Sequence, residues 1–147
     1  MAAAVLRDAL HQRNRERAVR VDSAGTHATQ PGHPPDGRAS LVCAREHINL
    51  GRGRARQVAE TDFTRFEHIV AVDAGCLKWL QAASSPDFHQ RLSRLGDWAP
   101  GGSLGDIPDP YYGSLAGFED VLKLLQRALD GLLPHILQAA ARSRDEN

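Results

Sequence analysis

A chain of 147 residues without an internal repeat fits one domain, residues 1–147, with room for a genuine core. Lysine plus arginine and aspartate plus glutamate balance at 18 each, which removes the basic field that nucleic acid or an anionic membrane surface would select. No apolar run approaches the ~20 residues of a membrane span, and the apolar start is broken by Arg7 and Asp8, too early for a secretory core. A cytoplasmic protein is expected, since Asp8 and Glu16 also argue against a mitochondrial presequence in the arginine-rich residues 1–20. Cys43 and Cys76 match neither a metal knuckle nor a disulfide framework, so two reduced thiols are expected.

Residues 1–15 place Val5, Leu6, Ala9 and Leu10 on one stripe and predict an amphipathic helix that has no capping residue before it. Residues 18–22 predict a short strand, left through Ser23-Ala24-Gly25-Thr26. The loop of residues 27–37 holds His27 and His33, but no acid or thiol at helical spacing completes a metal site, and none is expected. Residues 38–47 predict a helix with Ala39, Leu41, Val42 and Cys43 inward. Arg52, Arg54 and Arg56 follow among glycines with no interleaved aromatic residue, so a nucleic-acid platform is not expected.

Residues 60–66 predict a short helix capped by Thr61 and Asp62. The continuous apolar run of residues 67–73 predicts a strand covered on both faces, with Asp73 at the carboxyl end where open α/β sheets bind ligands. Residues 77–83 predict a helix with Trp79 and Leu80 inward, and residues 91–95 a last strand. Eight apolar residues from Phe118 to Ile136 recur at steps of three and four, predicting a long helix capped near Ser114 and kinked by Pro134. This alternation predicts a three-layer, doubly wound, mostly parallel α/β fold.

Two stretches suggest chemistry. Gly101-Gly102-Ser103-Leu104-Gly105 fits the Gly-x-Ser-x-Gly pattern of a serine nucleophile, but that motif needs a strand before it and a helix after it, and prolines flank it instead. In Asp106-Ile107-Pro108-Asp109-Pro110-Tyr111-Tyr112-Gly113 two prolines fix φ at about −65° on either side of Asp109. A carboxyl on so stiff a loop is well placed to deliver a proton.

The ordered set of Val21-Asp22-Ser23-Ala24-Gly25-Thr26, Pro35-Asp36-x-Arg38-Ala39, Arg54-Ala55-Arg56-Gln57, Asp62-Phe63-x-x-Phe66, Ile69-Val70-Ala71-Val72-Asp73 and Ile107 to Gly113 resembles the low-molecular-weight protein tyrosine phosphatases over nearly the whole chain. The resemblance implies a four-stranded parallel sheet and a two-step phosphoryl transfer. A cysteine thiolate attacks phosphorus, an arginine and backbone N–H groups hold the phosphate, and an aspartic acid protonates the leaving phenolate. Residue by residue, Asp109 matches that acid, Tyr111 and Tyr112 match the aromatic rim of the substrate cleft, and Ser23 matches a serine supporting the phosphate loop. Thr29 stands where many members carry an aromatic cleft wall, and Gly53 where a histidine usually braces the loop. No cofactor is implied, and a phosphotyrosine protein or a tyrosine-kinase partner is expected.

The departure is the nucleophile. The family's Cys-x5-Arg loop lies between its first strand and first helix, and here Asn49 follows Cys43 by six positions and Ala82 follows Cys76 by six. The expectation is a chain that starts after that loop, lacks the first, central strand of the sheet and is inactive by itself. Residues 18–22 and the strand at Ile69 are then left with unpaired edges, which predicts poor stability or self-association. A non-catalytic module that binds phosphorylated partners is the alternative, while arsenate reduction on this fold needs thiols that are not placed for it.

Overall fold

The longest element is the one most strongly patterned in the sequence. In the computed structural model, which describes residues 1–147, α5 spans Leu115–Asp145. All eight apolar positions predicted from spacing are buried, together with Ala128. Ser114 occupies the N-cap position without a side-chain cap bond. Pro134 lies inside the helix, which continues to Asp145 instead of ending soon after it. An interior proline costs about 3 kcal/mol. Full burial of Leu132, Leu133 and Ile136 around it contributes roughly 1.5–3 kcal/mol each, and the packing prevails.

Two helices lie on α5: α1 (Ala2–Gln12) buries Ala4, Val5 and Leu10, and α2 (Gly37–Arg45) buries Ala39, Val42 and Cys43. The α2 stripe follows the three-and-four rule, which turns Leu41 outward, 46% exposed, where the sequence reading had it inward. The Asp36 carboxylate accepts from the Arg38 N–H at 2.8 Å and fixes where α2 begins. On the far side of α5 the backbone turn of Leu95–Trp98 comes so close that a Cβ at Gly131 would collide with the Trp98 carbonyl. Glycine is required there for packing.

The sheet is smaller than expected. It has two strands, β1 (Ile69–Ala71) and β2 (Leu92–Arg94), parallel, in the register Ile69 to Leu92, Val70 to Ser93 and Ala71 to Arg94. The crossover between them carries α4 (Ala74–Ala83), and Leu80 of α4 packs with Ala71 and with Phe63 of α3 (Asp62–Arg65). Trp79 is only half-buried at the margin of this cluster.

The strand predicted at residues 18–22 is not formed. Residues 19–24 exchange no backbone hydrogen bond with any other segment; Val21 offers its carbonyl to Arg7 Nη2 at 2.9 Å, and an isolated parallel bridge joins Gly25 to Gln57. A strand exists by pairing, and these residues have nothing to pair with. β1 has β2 on one side only, and its run, expected to be covered on both faces, leaves Ile69 and Val70 half-buried and Val72 37% exposed. The α/β class stands; the sheet has two strands where three were read from the sequence. No helix is long and apolar enough to cross a membrane.

Candidate active site

The proline-rich loop hangs from the carboxyl end of β1, the edge at which open α/β sheets place their sites. Ile107 is 4% exposed and its N–H donates to the Val72 carbonyl at 2.8 Å. Asp106 Oδ1 accepts from the N–H of Ala74, the first residue of α4, at 2.9 Å and from Arg94 Nη1 at 3.1 Å. The approach is tight: a Cβ at Gly96 would strike the Gly105 carbonyl. Buried isoleucine, backbone bond and ion pair together fix the entry to the loop.

Asp109 is exposed beyond this anchor. Its Oδ1 accepts the Tyr111 N–H at 2.9 Å, and the Gly113 N–H closes a turn onto the Pro110 carbonyl at 2.8 Å. Oδ2 is left free to exchange a proton with a group placed over the edge. The Tyr111 and Tyr112 rings stand 5.0 Å apart at 89°, Tyr111 half-exposed and Tyr112 98% exposed. The exit is held by Arg38, which donates to the Tyr111 and Gly113 carbonyls, both at 2.8 Å.

A second loop reaches the same edge. Gln57 takes the Ala28 N–H at 2.9 Å and donates to the Thr26 carbonyl, while Gly25 exchanges backbone bonds of 2.9 Å with Arg56 and Val58. Arg56, read from sequence as one of a clustered triplet, turns inward to the buried Asp62 at 2.8 Å and also reaches Asp22 at 3.2 Å. That pairing holds the Asp62 carboxyl below its ordinary value, the Arg56 bond being the main cause. Thr26 Oγ1 lies 3.8 Å from Cys76 Sγ on α4, so the second loop meets the acid loop across the first turn of α4. Ser23 and Thr29 are exposed on this second loop, and neither is joined to Asp109 by a hydrogen bond or an ion pair.

Neither thiol is prepared to attack. Burial pushes the Cys43 thiol above its ordinary value, and the side chain is fully enclosed. Cys76 sits in the first turn of α4, where a helix dipole favours a thiolate, but burial and then the neighbouring Asp73 push its thiol up instead. Ser103 is no nucleophile either. Its hydroxyl donates to Asp97 at 2.6 Å from an irregular loop that lacks the strand and helix of a nucleophile elbow. A hollow of about 390 Å³ between the end of α2 and residues 48–51 shares no residue with this edge.

The sequence profile described as low molecular weight phosphotyrosine protein phosphatase matches residues 1–143. The chain belongs to that family. A low molecular weight protein-tyrosine-phosphatase of Bacillus subtilis is 33% identical over 136 residues, 92% of this chain and 86% of the relative. One from Streptomyces coelicolor is 38% identical over 136 residues, 90% of this chain and 82% of the relative. In three dimensions, the crystal structure of a protein tyrosine phosphatase from Entamoeba histolytica superposes with a TM-score of 0.88 at 25% identity, covering 94% of this chain and 88% of that one. The two short strands and five helices are therefore arranged as in this phosphatase family.

Sequence reasoning singled out Asp109, Tyr111 and Tyr112, which one loop presents together. It gave no role to Arg38, Gln57 or the Arg56–Asp62 pair, which hold the two loops in place. Each lies inside a quoted motif, Pro35-Asp36-x-Arg38, Arg54-Ala55-Arg56-Gln57 or Asp62-Phe63-x-x-Phe66; the motif marked the residue and its partner appeared only in three dimensions.

Proposed function

We propose that these 147 residues carry the proton-delivering and substrate-facing half of a phosphotyrosine protein phosphatase. Asp109 is the general acid, Tyr111, Tyr112 and Thr29 belong to the cleft rim, and Ser23 supports the phosphate-binding loop. The observation that supports this reading is the placement of Asp109, whose Oδ2 is free on a proline-stiffened loop at the carboxyl end of β1. A phenolate leaves poorly until it is protonated, and an acid held there supplies the proton; the same carboxylate then serves as base toward water. The substrate class is a phosphotyrosine-bearing protein, in keeping with a family of phosphotyrosine protein phosphatases.

The reading has a second half: this polypeptide alone does not hydrolyse aryl phosphates. The transfer needs a thiolate and an arginine six positions on, and Cys43 and Cys76 offer neither the spacing nor the ionisation. An assay of the 147-residue chain on an aryl phosphate is expected to stay at the buffer rate. Turnover that disappears on alkylation of the thiols would overturn this half.

The same edge supports self-association. Residues 19–24 and the free side of β1 leave backbone N–H and C=O groups without a protein partner, an edge on which a second copy can pair. Sedimentation velocity is expected to show concentration-dependent association. A monomer with a sharp cooperative melt at every concentration would remove it.

A further inference from the structure

Arg38 sits in the first turn of α2, where a cation opposes the helix dipole, so helix electrostatics do not account for it. Its contacts do. Nε and Nη2 grip the two carboxylate oxygens of Asp36 at 3.1 and 2.9 Å, the other Nη2 hydrogen goes to the Tyr111 carbonyl and Nη1 goes to the Gly113 carbonyl, both at 2.8 Å. Four of the five N–H donors of the guanidinium are occupied, and Cζ lies 4.6 Å from the centre of the Phe118 ring. Only a planar fork meets two carboxylate oxygens and two carbonyls at once; a lysine ammonium has three donors on one atom.

We infer that Arg38 is the positioning residue of the acid loop, holding Asp109 in place through Tyr111. Tyr111 is gripped from both sides, its N–H by Asp109 Oδ1 and its carbonyl by Arg38. Because the Tyr111 and Gly113 carbonyls both turn toward the guanidinium, Tyr112 between them is turned out to 98% exposure. One side chain thus sets the place of the acid and decides which phenol lies along the rim. Asp36 keeps the arginine aimed, and its carboxyl is held below its ordinary value chiefly by the Arg38 bond, so the pair stays charged.

This assignment rests on Asp109 as the acid, but its test needs no turnover, so either can fail without the other. Arg38→Lys keeps the charge and loses the fork. The readouts are amide hydrogen exchange at Tyr111 and Gly113 against Leu125 of α5, and nitration by tetranitromethane at Tyr111 relative to Tyr112 in the same molecule. In Arg38→Lys, exchange at Tyr111 and Gly113 is expected to rise about tenfold, with Leu125 unchanged. Nitration of Tyr111 is expected to rise toward that of Tyr112. Unchanged loop exchange and an unchanged nitration ratio would overturn the assignment. So would equal acceleration at Leu125, which would reduce Arg38 to a residue of general stability. Where Arg38→Lys does not fold, Asp36→Asn, which leaves the arginine in place without its charged anchor, carries the same test with the same expected direction.

Discussion

Beneath α5 the core is a single cluster of sixteen buried residues, whereas around the two strands it is a cluster of three. The difference follows from how each side satisfies its backbone. Helices close their own hydrogen bonds, so α1, α2 and α5 need only apolar stripes to meet one another. Strands need neighbours, and β1 has one while residues 19–24 have none. The acid loop lies at the seam, hung from the sheet side by Ile107 and tied to the helical side by Arg38 and Phe118. The helical side can therefore hold the acid in position while β1 has a neighbour on one side only.

Giving β1 a second neighbour breaks the asymmetry most directly. A chimera in which a family member's strand and Cys-x5-Arg loop precede Met1 is expected to hydrolyse an aryl phosphate faster than the 147 residues by themselves. In that chimera Asp109→Asn is expected to lower kcat by about 10²–10⁴-fold. An active chimera indifferent to Asp109→Asn would remove Asp109 as the acid.

The two sides also differ in what truncating an apolar side chain to alanine costs. Leu125→Ala, in the middle of the α5 stripe, is expected to cost about 2–5 kcal/mol by urea unfolding. Val72→Ala, just past the end of β1, is expected to cost less than about 1 kcal/mol because much of that side chain already faces water. Equal losses would show that the sheet side is as well packed as the helical one.

The same contrast explains what was legible in the sequence. The α5 stripe could be read position by position because helical burial depends on local spacing, and the loop around Asp109 because two prolines constrain it locally. Leu41 went wrong by one step of the helical wheel, and the placing of Pro134 near the end of α5 went wrong because a local rule met a long packed interface. The strand at residues 18–22 has the right composition, yet composition cannot provide a pairing partner. Arg38 and Arg56 were visible as residues of a motif, but the partners of Arg38 lie 73 and 75 residues on, and those of Arg56 are the buried Asp62 and the exposed Asp22, 34 residues back. Tertiary pairing of that kind leaves no periodic trace.

A smaller effect is expected where the second loop is tied to α3. Asp62→Asn leaves Arg56 partly uncompensated and is expected to cost about 2–3 kcal/mol, below the figure for a fully buried pair because the Arg56 side chain is 34% exposed. The carboxyl is held below its ordinary value of 3.8 in the folded chain, so the unfolded chain binds its proton first as pH falls. The contribution of Asp62 is complete above pH 3.8 and is lost below it, as pH falls through the folded value. Acid unfolding monitored by circular dichroism is expected to show a shallower loss in Asp62→Asn over that range; an unchanged slope would mean that the ion pair is not coupled to folding.

The smallest effect is expected at the seam's far end, where His68, just before β1, stands edge-on to His135 of α5 at 5.2 Å and Trp98 lies 4.7 Å from His135. Burial, and then the nearby His135, push His68 below its ordinary value of 6.5, while Glu67 opposes the shift. A histidine kept neutral by folding takes up its proton more readily in the unfolded chain, so stability is highest above pH 6.5 and declines as pH falls from there through the lower folded value. His68→Gln is expected to remove that decline from the melting temperature between neutral and mildly acidic pH. His135→Gln is expected to move the His68 titration, followed by the NMR shift of its Cε1 proton, back toward 6.5, and only partway, since burial is the larger cause. A complete return would assign the shift to the second histidine alone, and no movement would assign it to burial alone.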